Sequence, residues 1–251
     1  MNKIIKYIKE ILFNGSKVNS LTVVGVGPGD PSLLTLSAIN AIKKSNVIFF
    51  PISDYGKKSF ALEIVKKYIK FKKHIPIVFP MAREDFNPDK IWENNAIKII
   101  ELIKKRKSVV LLCLGDISVF ASSQNIITKI KKINPEIIIE NIPGISSLSA
   151  AAALGNFDLV KHGETLKIIE CPEDPKKFLN LIRDERNKKK ILVIMKIGAR
   201  WIWVKKILEK ENIINKSLLA INIGMKNQFI DNASKKSSEE LPYFSLLLLR
   251  F

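Results

Sequence analysis

Short apolar runs alternate with amphipathic stretches of helical period through most of the chain. From Leu21 onward this alternation is typical of a parallel sheet covered by helices, and it predicts an α/β fold. The expected strands of the first half are residues 21–27, 47–51, 75–79, 108–114 and 136–142. The expected helices there are residues 33–44, 59–71, 88–106 and 122–132.

The pattern becomes looser after Pro143-Gly144. The predicted helices of this part are residues 146–154, 176–183 and 199–211, and the predicted strands are residues 166–170, 191–195, 218–223 and 243–250. The polar stretch 225–241 is interpreted as a turn and a loop. We therefore expect an extension (1–20), an N-terminal α/β domain (21–142) and a C-terminal α/β domain (143–251).

The first 13 residues place apolar side chains on one helical face and lysines on another. A helix packed on its own domain or on a partner subunit is favoured over a membrane-surface anchor. The segment has no small-residue cleavage site, so a secretory signal is not expected. No apolar run approaches the roughly 18 to 20 residues of a membrane span, and none is predicted.

Composition indicates a folded protein, with 251 residues, 47% apolar residues and 26% charged residues. The 42 Lys and Arg residues against 24 Asp and Glu give a net charge of +18, and 36 of the cations are lysines. Such a charge attracts anionic ligands, although compositional drift explains part of it. The two cysteines, Cys113 and Cys171, lie in apolar stretches, which excludes a disulfide framework and favours buried thiols in a reducing cytoplasm.

Gly25-Val26-Gly27-Pro28-Gly29-Asp30-Pro31 follows a predicted strand and precedes a helix. Backbone amides at such a helix start can face an anion or a cofactor, although a tight turn without a ligand has the same pattern. A dinucleotide fingerprint is excluded because Asp30 stands at the third glycine position and Pro28 lacks an amide donor. A Walker loop is excluded because no Gly-Lys-Ser/Thr ending is present.

Two further loops follow predicted strands. Gly115-Asp116 ends the very apolar strand 108–114, and Pro143-Gly144-Ile145-Ser146-Ser147 opens a helix that contains four alanines. Ligands of parallel α/β sheets bind at the carboxyl ends of the strands. We therefore expect the three loops to belong to one site.

These motifs together resemble those of the tetrapyrrole methylase family, the S-adenosylmethionine-dependent enzymes of corrin and sirohaem synthesis. The matching segments are residues 24–36, 115–116, 143–147 and 193–196. Within the family the chain looks most like the C20-methyltransferases acting on precorrin-2 or cobalt-factor II. Residues 46–51, the segment around Pro80-Met81 and the ending 242–248 carry that narrower resemblance.

The resemblance implies two α/β domains with S-adenosylmethionine in the cleft between them, an anionic tetrapyrrole substrate and a homodimer. The implied cofactor-binding residues are Gly115, Asp116, Val119, Phe120, Ser146, Ser147, Met195 and Lys196. The implied substrate-binding residues are Pro28, Gly29, Asp30 and Pro31. No resident metal is expected, since cobalt would belong to the substrate.

The chain departs from the family pattern at Ile117 and Ala121, where a proline and a small polar residue are usual. Methylation of C20 requires loss of a proton, and Asp30, Asp54 and Asp116 are candidate bases by position. For each of them, loop capping or cofactor binding is the favoured role. No catalytic residue is therefore assigned.

Other interpretations remain open. They are another corrin methyltransferase, an rRNA or diphthamide methylase, a family member that binds the cofactor without turnover, and a basic nucleic-acid-binding protein without catalysis. Nucleic acid is not the expected partner, because no RNA-binding module is present and arginines are few. His74 and His162 lack ligand spacing, and Trp201 and Trp203 are expected to pack a domain surface.

Overall fold

The computed structural model describes residues 19–53, 58–79, 87–188 and 190–251. The predicted N-terminal helix therefore lies outside the described residues, as do Asp54, Pro80 and Met81. The chain divides into two compact units, of which the first ends at Ile145 and the second begins at Ser146. Among the described residues, no helix is long and apolar enough to cross a membrane.

The first unit contains a five-stranded, fully parallel sheet in the order β3-β2-β4-β1-β5. Its strands are β1 (Ser20–Gly25), β2 (Val47–Ile52), β3 (Lys73–Val78), β4 (Val109–Cys113) and β5 (Ile138–Ile142). Its helices are α1 (Leu36–Lys44), α2 (Phe60–Val65), α3 (Pro88–Lys104) and α4 (Ser123–Ile133).

Local sequence explains where these helices begin. The Thr35 hydroxyl accepts a hydrogen bond from the Ala38 amide and caps α1. The Ser59 hydroxyl accepts one from the Leu62 amide and caps α2. Asn87 caps α3 directly before Pro88, a residue whose fixed φ suits the first helical position. The five residues of β4 are all buried, because apolar clusters cover both faces of the sheet.

The second unit contains a mixed sheet in the order β6-β7-β10-β8-β9. Its elements are α5 (Ser147–Leu154), β6 (Leu166–Glu170), α6 (Pro175–Asn187), β7 (Ile191–Met195), α7 (Trp201–Lys210), β8 (Ser217–Ile221), β9 (Phe229–Asn232) and β10 (Ser245–Leu249). β6 and β7 are parallel, whereas β10 inserts antiparallel between β7 and β8.

Three sequence expectations were wrong. The stretch 225–241 is not only a loop, since β9 pairs with β8 and Phe229 packs against the apolar cluster of the unit. The helix expected over 59–71 ends at Val65 and continues as one 3-10 turn, Lys66–Tyr68. Trp201 is fully buried in the interior rather than at a domain surface, and its indole N–H donates to the Ser237 carbonyl at 2.9 Å. Pairing with β8 decides the first of these features, and packing in the apolar cluster decides the third.

Candidate functional site

The loops after β1, β4 and β5 meet at the carboxyl edge of the first sheet, because these three strands are neighbours. The Val26 amide donates to the Cys113 carbonyl at 2.9 Å. Gly27 and Gly115 then exchange two backbone hydrogen bonds, of 3.1 and 2.8 Å, in an isolated antiparallel bridge. The first two predicted loops are thus joined directly through their backbones.

Gly25 and Gly144 are required by the close approach of these backbones. A Cβ built on Gly25 would lie 2.5 Å from the Gly144 nitrogen and 2.9 Å from the Gly115 oxygen. A Cβ on Gly144 would overlap the Gly115 carbonyl oxygen in turn. No substituent fits at either position, so backbone packing alone accounts for both glycines.

The Asp116 carboxylate connects the second loop to the third. Its Oδ2 accepts the Gly144 amide at 2.9 Å, and its Oδ1 accepts the Ser118 amide at 2.8 Å together with the Ser118 hydroxyl. Burial acts to raise the pKa of Asp116, but the hydrogen bonds from Ser118 and Gly144 outweigh it and lower that pKa. Asp116 is therefore an ionised group that organises the loops.

Asp30 has a comparable local role in the first loop. Its carboxylate accepts the Ser32 amide at 2.7 Å and caps the 3-10 turn Pro31–Leu33, and this hydrogen bond lowers the pKa of Asp30. Pro28 is buried, Gly29 is half-buried, and Asp30 and Pro31 are exposed. Both described candidate bases are thus engaged in loop hydrogen bonds.

The remaining first-unit candidates flank Asp116 in the same loop. Gly115 has a φ of +74°, and an added Cβ would meet nothing within 4 Å, so open space lies beside it. Val119 is half-buried. Phe120 is exposed and has a φ of +47°, a left-handed conformation that is uncommon for a bulky side chain.

The second unit holds the other four candidates on two elements. Ser146 caps α5, its hydroxyl accepting the Ser149 amide at 3.3 Å, and Ser147 is the first residue of that helix. Met195 ends β7 and is half-buried, and Lys196 follows it with a φ of +58°. α5 packs against β10, which pairs with β7.

Ion pairs hold the turn at Lys196. The Lys196 ammonium contacts the Glu170 carboxylate, and the Arg200 guanidinium contacts Glu173 while donating to the Lys196 carbonyl at 2.7 Å. Burial acts to lower the pKa of Lys196, but Glu170 and Tyr243 outweigh it and raise that pKa. The Lys196 side chain is therefore a cation with a carboxylate partner.

The cysteines and histidines contribute no further chemistry. Both cysteines are buried free thiols, and burial raises the pKa of Cys113 to about 11 and that of Cys171 to about 12. Their prediction as small buried hydrophobes is confirmed. His74 and His162 are exposed, and the described residues include no cluster of His, Cys, Asp and Glu that could hold a metal ion.

The sequence profile described as Tetrapyrrole (Corrin/Porphyrin) Methylases matches residues 20–233 of the chain. The chain belongs to this family. A probable cobalt-precorrin-2 C(20)-methyltransferase of Methanocaldococcus jannaschii is 33% identical over 218 residues, which is 84% of this chain and 93% of that protein. A cobalt-precorrin-2 C(20)-methyltransferase of Salmonella typhimurium is 23% identical, covering 91% of this chain and 95% of that protein.

Solved structures of tetrapyrrole methylases share the fold. A cobalt precorrin-4 methyltransferase has a TM-score of 0.67 at 16% identity, covering 92% of this chain and 94% of its own. A uroporphyrin-III C-methyltransferase from Thermus thermophilus, complexed with S-adenosylhomocysteine, has a TM-score of 0.62 at 18% identity and covers 92% of each chain. The predicted family and α/β fold class are confirmed.

The two departures from the family pattern have a packing role in this tetrapyrrole methylase. Ile117 is buried in the apolar cluster beneath β4, and Ala121 packs against the same cluster. The Ile117 carbonyl accepts the Gln124 side-chain amide at 3.1 Å. The loop is therefore anchored by an apolar side chain where the family usually has a proline.

Sequence reasoning missed the positioning groups of the site. Ser118, Glu170 and Arg200 hold candidate residues in place. Ser118 lies in the second loop but was given no role, and Glu170 and Arg200 lie in none of the predicted motifs. For Ser118 a local signal existed, since an Asp two residues before a Ser is typical of a side-chain-capped turn. No such signal exists for Glu170 and Lys196, which are 26 residues apart in the chain.

Proposed function

We propose that this tetrapyrrole methylase transfers a methyl group from S-adenosylmethionine to C20 of precorrin-2 or cobalt-factor II in cobalamin biosynthesis. The observation that carries the proposal is similarity along nearly the whole chain to relatives named for that activity. They include the Methanocaldococcus relative and a precorrin-2 C(20)-methyltransferase of Sinorhizobium sp., which is 24% identical over 94% of this chain. The sulfonium of the bound cofactor supplies an already activated methyl group.

The proposed cofactor site includes Gly115, Asp116, Val119 and Phe120. The open space beside Gly115 fits a ligand that approaches the backbone closely. Three hydrogen bonds to its carboxylate let Asp116 hold two loops in a fixed geometry, which lowers the entropic cost of aligning cofactor and acceptor carbon. Ser146, Ser147, Met195 and Lys196 are proposed as further cofactor contacts by family resemblance.

The loop from Pro28 to Pro31 is proposed to face the tetrapyrrole. The Gly27–Gly115 bridge supports this, because it fixes the first loop against the proposed cofactor loop. The proton released from C20 needs an acceptor, but the carboxylates of Asp30 and Asp116 already accept backbone amides. Neither is therefore proposed as the base, and the third candidate, Asp54, lies outside the described residues.

Relatives with other ring specificities define the second candidate function. A uroporphyrinogen-III C-methyltransferase of Methanocaldococcus jannaschii is 29% identical over 79% of this chain, and a cobalt-precorrin-4 C(11)-methyltransferase is 30% identical over 52%. The C20 enzymes match more of both chains. A nucleic-acid-binding function without catalysis is disfavoured by family membership.

The decisive experiment incubates the purified protein with S-adenosylmethionine and either precorrin-2 or cobalt-factor II. One added methyl group by mass spectrometry, assigned to C20 by NMR, is the expected result, and the preferred substrate identifies the cobalt-free or the cobalt-containing route. Methylation of another carbon, or of neither compound by protein that binds the cofactor, would contradict the C20 proposal.

A matched pair of glycine variants tests the cofactor site. Gly115→Ala and Gly163→Ala both place a Cβ at positive φ in open space, so each costs about 1 to 2 kcal/mol of stability. Only Gly115→Ala is expected to weaken S-adenosylmethionine binding, by tenfold or more, measured by isothermal titration calorimetry. Equal affinity in the two variants would remove Gly115 from the proposed site.

We further propose an assembly and a location for the protein. The homodimer is proposed by family resemblance. The cytoplasm is proposed because buried thiols without a disulfide suit a reducing compartment. Light scattering coupled to size-exclusion chromatography gives the oligomeric mass directly. A monomeric mass in active protein would exclude the dimer.

A further inference from the structure

The amino edge of the first sheet carries a dense group of cations. Each helix from α1 to α4 runs from the carboxyl edge back to the amino edge, so the four helix ends and the turns after them lie along that edge. We call the cations of residues 43–44, 66–73, 104–107 and 131–132 the basic face. These ranges contain thirteen Lys and Arg residues and no Asp or Glu, and the turn after α4 adds one exposed acidic residue, Glu136.

Contacts hold cations from separate elements together. The ammonium groups of Lys43 and Lys67 lie 5.6 and 5.0 Å from the centre of the Tyr68 ring. The Lys72 ammonium donates to the Lys43 carbonyl at 2.8 Å and to the Ser45 carbonyl at 2.6 Å. The cations of α1 and of the chain leading into β3 therefore form one continuous surface.

Helix ends and ion pairs do not account for this concentration. A cation in the last turn of a helix interacts favourably with the helix dipole, but Lys70, Lys73 and Arg106 lie beyond the helices. Among ion pairs between described residues, one involves this face, Lys66 with Glu63 at 3.6 Å. Twelve of the thirteen cations are exposed, and the ammonium of one of these, Lys131, donates to the Pro135 and Ile137 carbonyls.

Exposed apolar side chains lie at the same edge. Phe71 is fully exposed at the tip of the turn before β3, with a φ of +63° that directs the chain around it. Ile133 at the end of α4 and Ile138 at the start of β5 are also exposed. Apolar groups surrounded by lysines are typical of surfaces that lie on a bilayer interface.

We propose that the basic face docks the protein on an anionic lipid bilayer. The cations attract the headgroups within a Debye length of about 10 Å at 0.1 M salt, and Phe71 enters the interface. This edge is opposite the three loops of the candidate site, and Lys67 is the member of the face that also interacts electrostatically with one of them, at Asp30, so binding the tetrapyrrole does not explain most of its charge. The inference is therefore independent of the proposed function.

A single-stranded nucleic acid fits this face less well. Stacking of successive bases needs several open aromatic faces, but two lysines already lie over the Tyr68 ring, which leaves Phe71 as the exposed phenyl ring of this face. Arginine is the residue suited to bidentate phosphate contacts, and the face has one arginine among thirteen cations. Bilayer attraction needs only positive charge near the surface, which lysine supplies.

The test is co-sedimentation of the full chain with vesicles of equal parts phosphatidylglycerol and phosphatidylcholine, and with vesicles of phosphatidylcholine alone. We expect binding to the anionic vesicles only, weakening as salt is raised. The combined variant K70Q/K73Q/K104Q/K105Q should lower the partition coefficient at least about a hundredfold. F71N, which tolerates positive φ, should lower it about tenfold.

The matched control is K176Q/K177Q/K206Q/K210Q, which removes the same charge from exposed lysines of the second unit. It should leave vesicle binding within about threefold, since none of these lysines belongs to the basic face. Three outcomes would overturn the proposal. They are equal losses of vesicle binding in the two quadruple variants, binding to the phosphatidylcholine vesicles but not to the anionic ones, and binding to single-stranded RNA but not to vesicles. Circular dichroism and methyl transfer without lipid should be unchanged in all variants, which separates this test from that of the proposed function.

Discussion

The candidate residues of the two units are held in place by different forces. In the first unit, backbones pack without room for a side chain, and a carboxylate accepts backbone amides. In the second, the turn at Lys196 depends on ion pairs of Lys196 with Glu170 and of Arg200 with Glu173. Steric contact is insensitive to salt, whereas exposed ion pairs are screened by salt and contribute little to stability. We therefore expect substitutions in the first unit to reduce the free energy of unfolding more.

The largest effect is expected from Gly144→Ala. Its Cβ would overlap the Gly115 carbonyl and approach Gly25, and backbone on all sides prevents relief by a rotamer change. We expect a loss of about 3 kcal/mol or more in the free energy of unfolding, measured by urea denaturation.

Gly163→Ala is the control for this substitution, because it adds a Cβ at positive φ in open space. Its expected cost is about 1 to 2 kcal/mol. A Gly144→Ala variant as stable as this control would show that the three loops can separate without penalty.

Removing the Asp116 carboxylate should have the next largest effect. Asp116→Ala leaves the Gly144 amide and both Ser118 donors without their acceptor, which is expected to cost about 2 to 3 kcal/mol. Asp116→Asn retains one acceptor oxygen and should lose roughly half as much. Thermal and urea unfolding measure both, and indistinguishable costs for Ala and Asn would contradict the bridging role of the carboxylate.

The same group predicts a pH dependence. The folded protein holds the pKa of Asp116 below its usual value, so the ionised carboxylate stabilises the fold above the unfolded-state pKa of about 3.9. That contribution is lost as the pH falls through the lower folded pKa. The stability difference between the wild-type protein and Asp116→Asn should therefore shrink below about pH 4, and a constant difference would argue against ionisation.

The smallest stability effect is expected from Arg200→Lys in the second unit. Lysine keeps the charge but loses the forked contacts to Glu173 and to the Lys196 carbonyl. We expect a loss of about 1 kcal/mol or less in the free energy of unfolding, because Glu173 is exposed. The cost should decrease at high salt, unlike that of Gly144→Ala. Equal salt responses in the two variants would remove the proposed distinction between the units.

The strongly patterned elements of the fold were predictable from the sequence. β4 and β7 are continuous apolar runs, and α3 and α4 have clear helical periodicity, so their positions follow from local patterns. β9 was not predictable because Phe229–Asn232 has no apolar run and becomes a strand only by pairing with β8. The insertion of β10 between β7 and β8 likewise depends on partners distant in the chain.

The candidate site divides in the same way. The sequence alone determined the three loops, their glycines and Asp116, because strand ends and glycine spacing are local signals. Only the tertiary structure decided that Gly25 and Gly144 have no room for a side chain. It also decided that the Asp116 carboxylate accepts a hydrogen bond from the Gly144 amide, 28 residues away in the chain. The physical reason is that steric exclusion and hydrogen-bond pairing act between atoms adjacent in space, and neither is encoded in the spacing of residues along the chain.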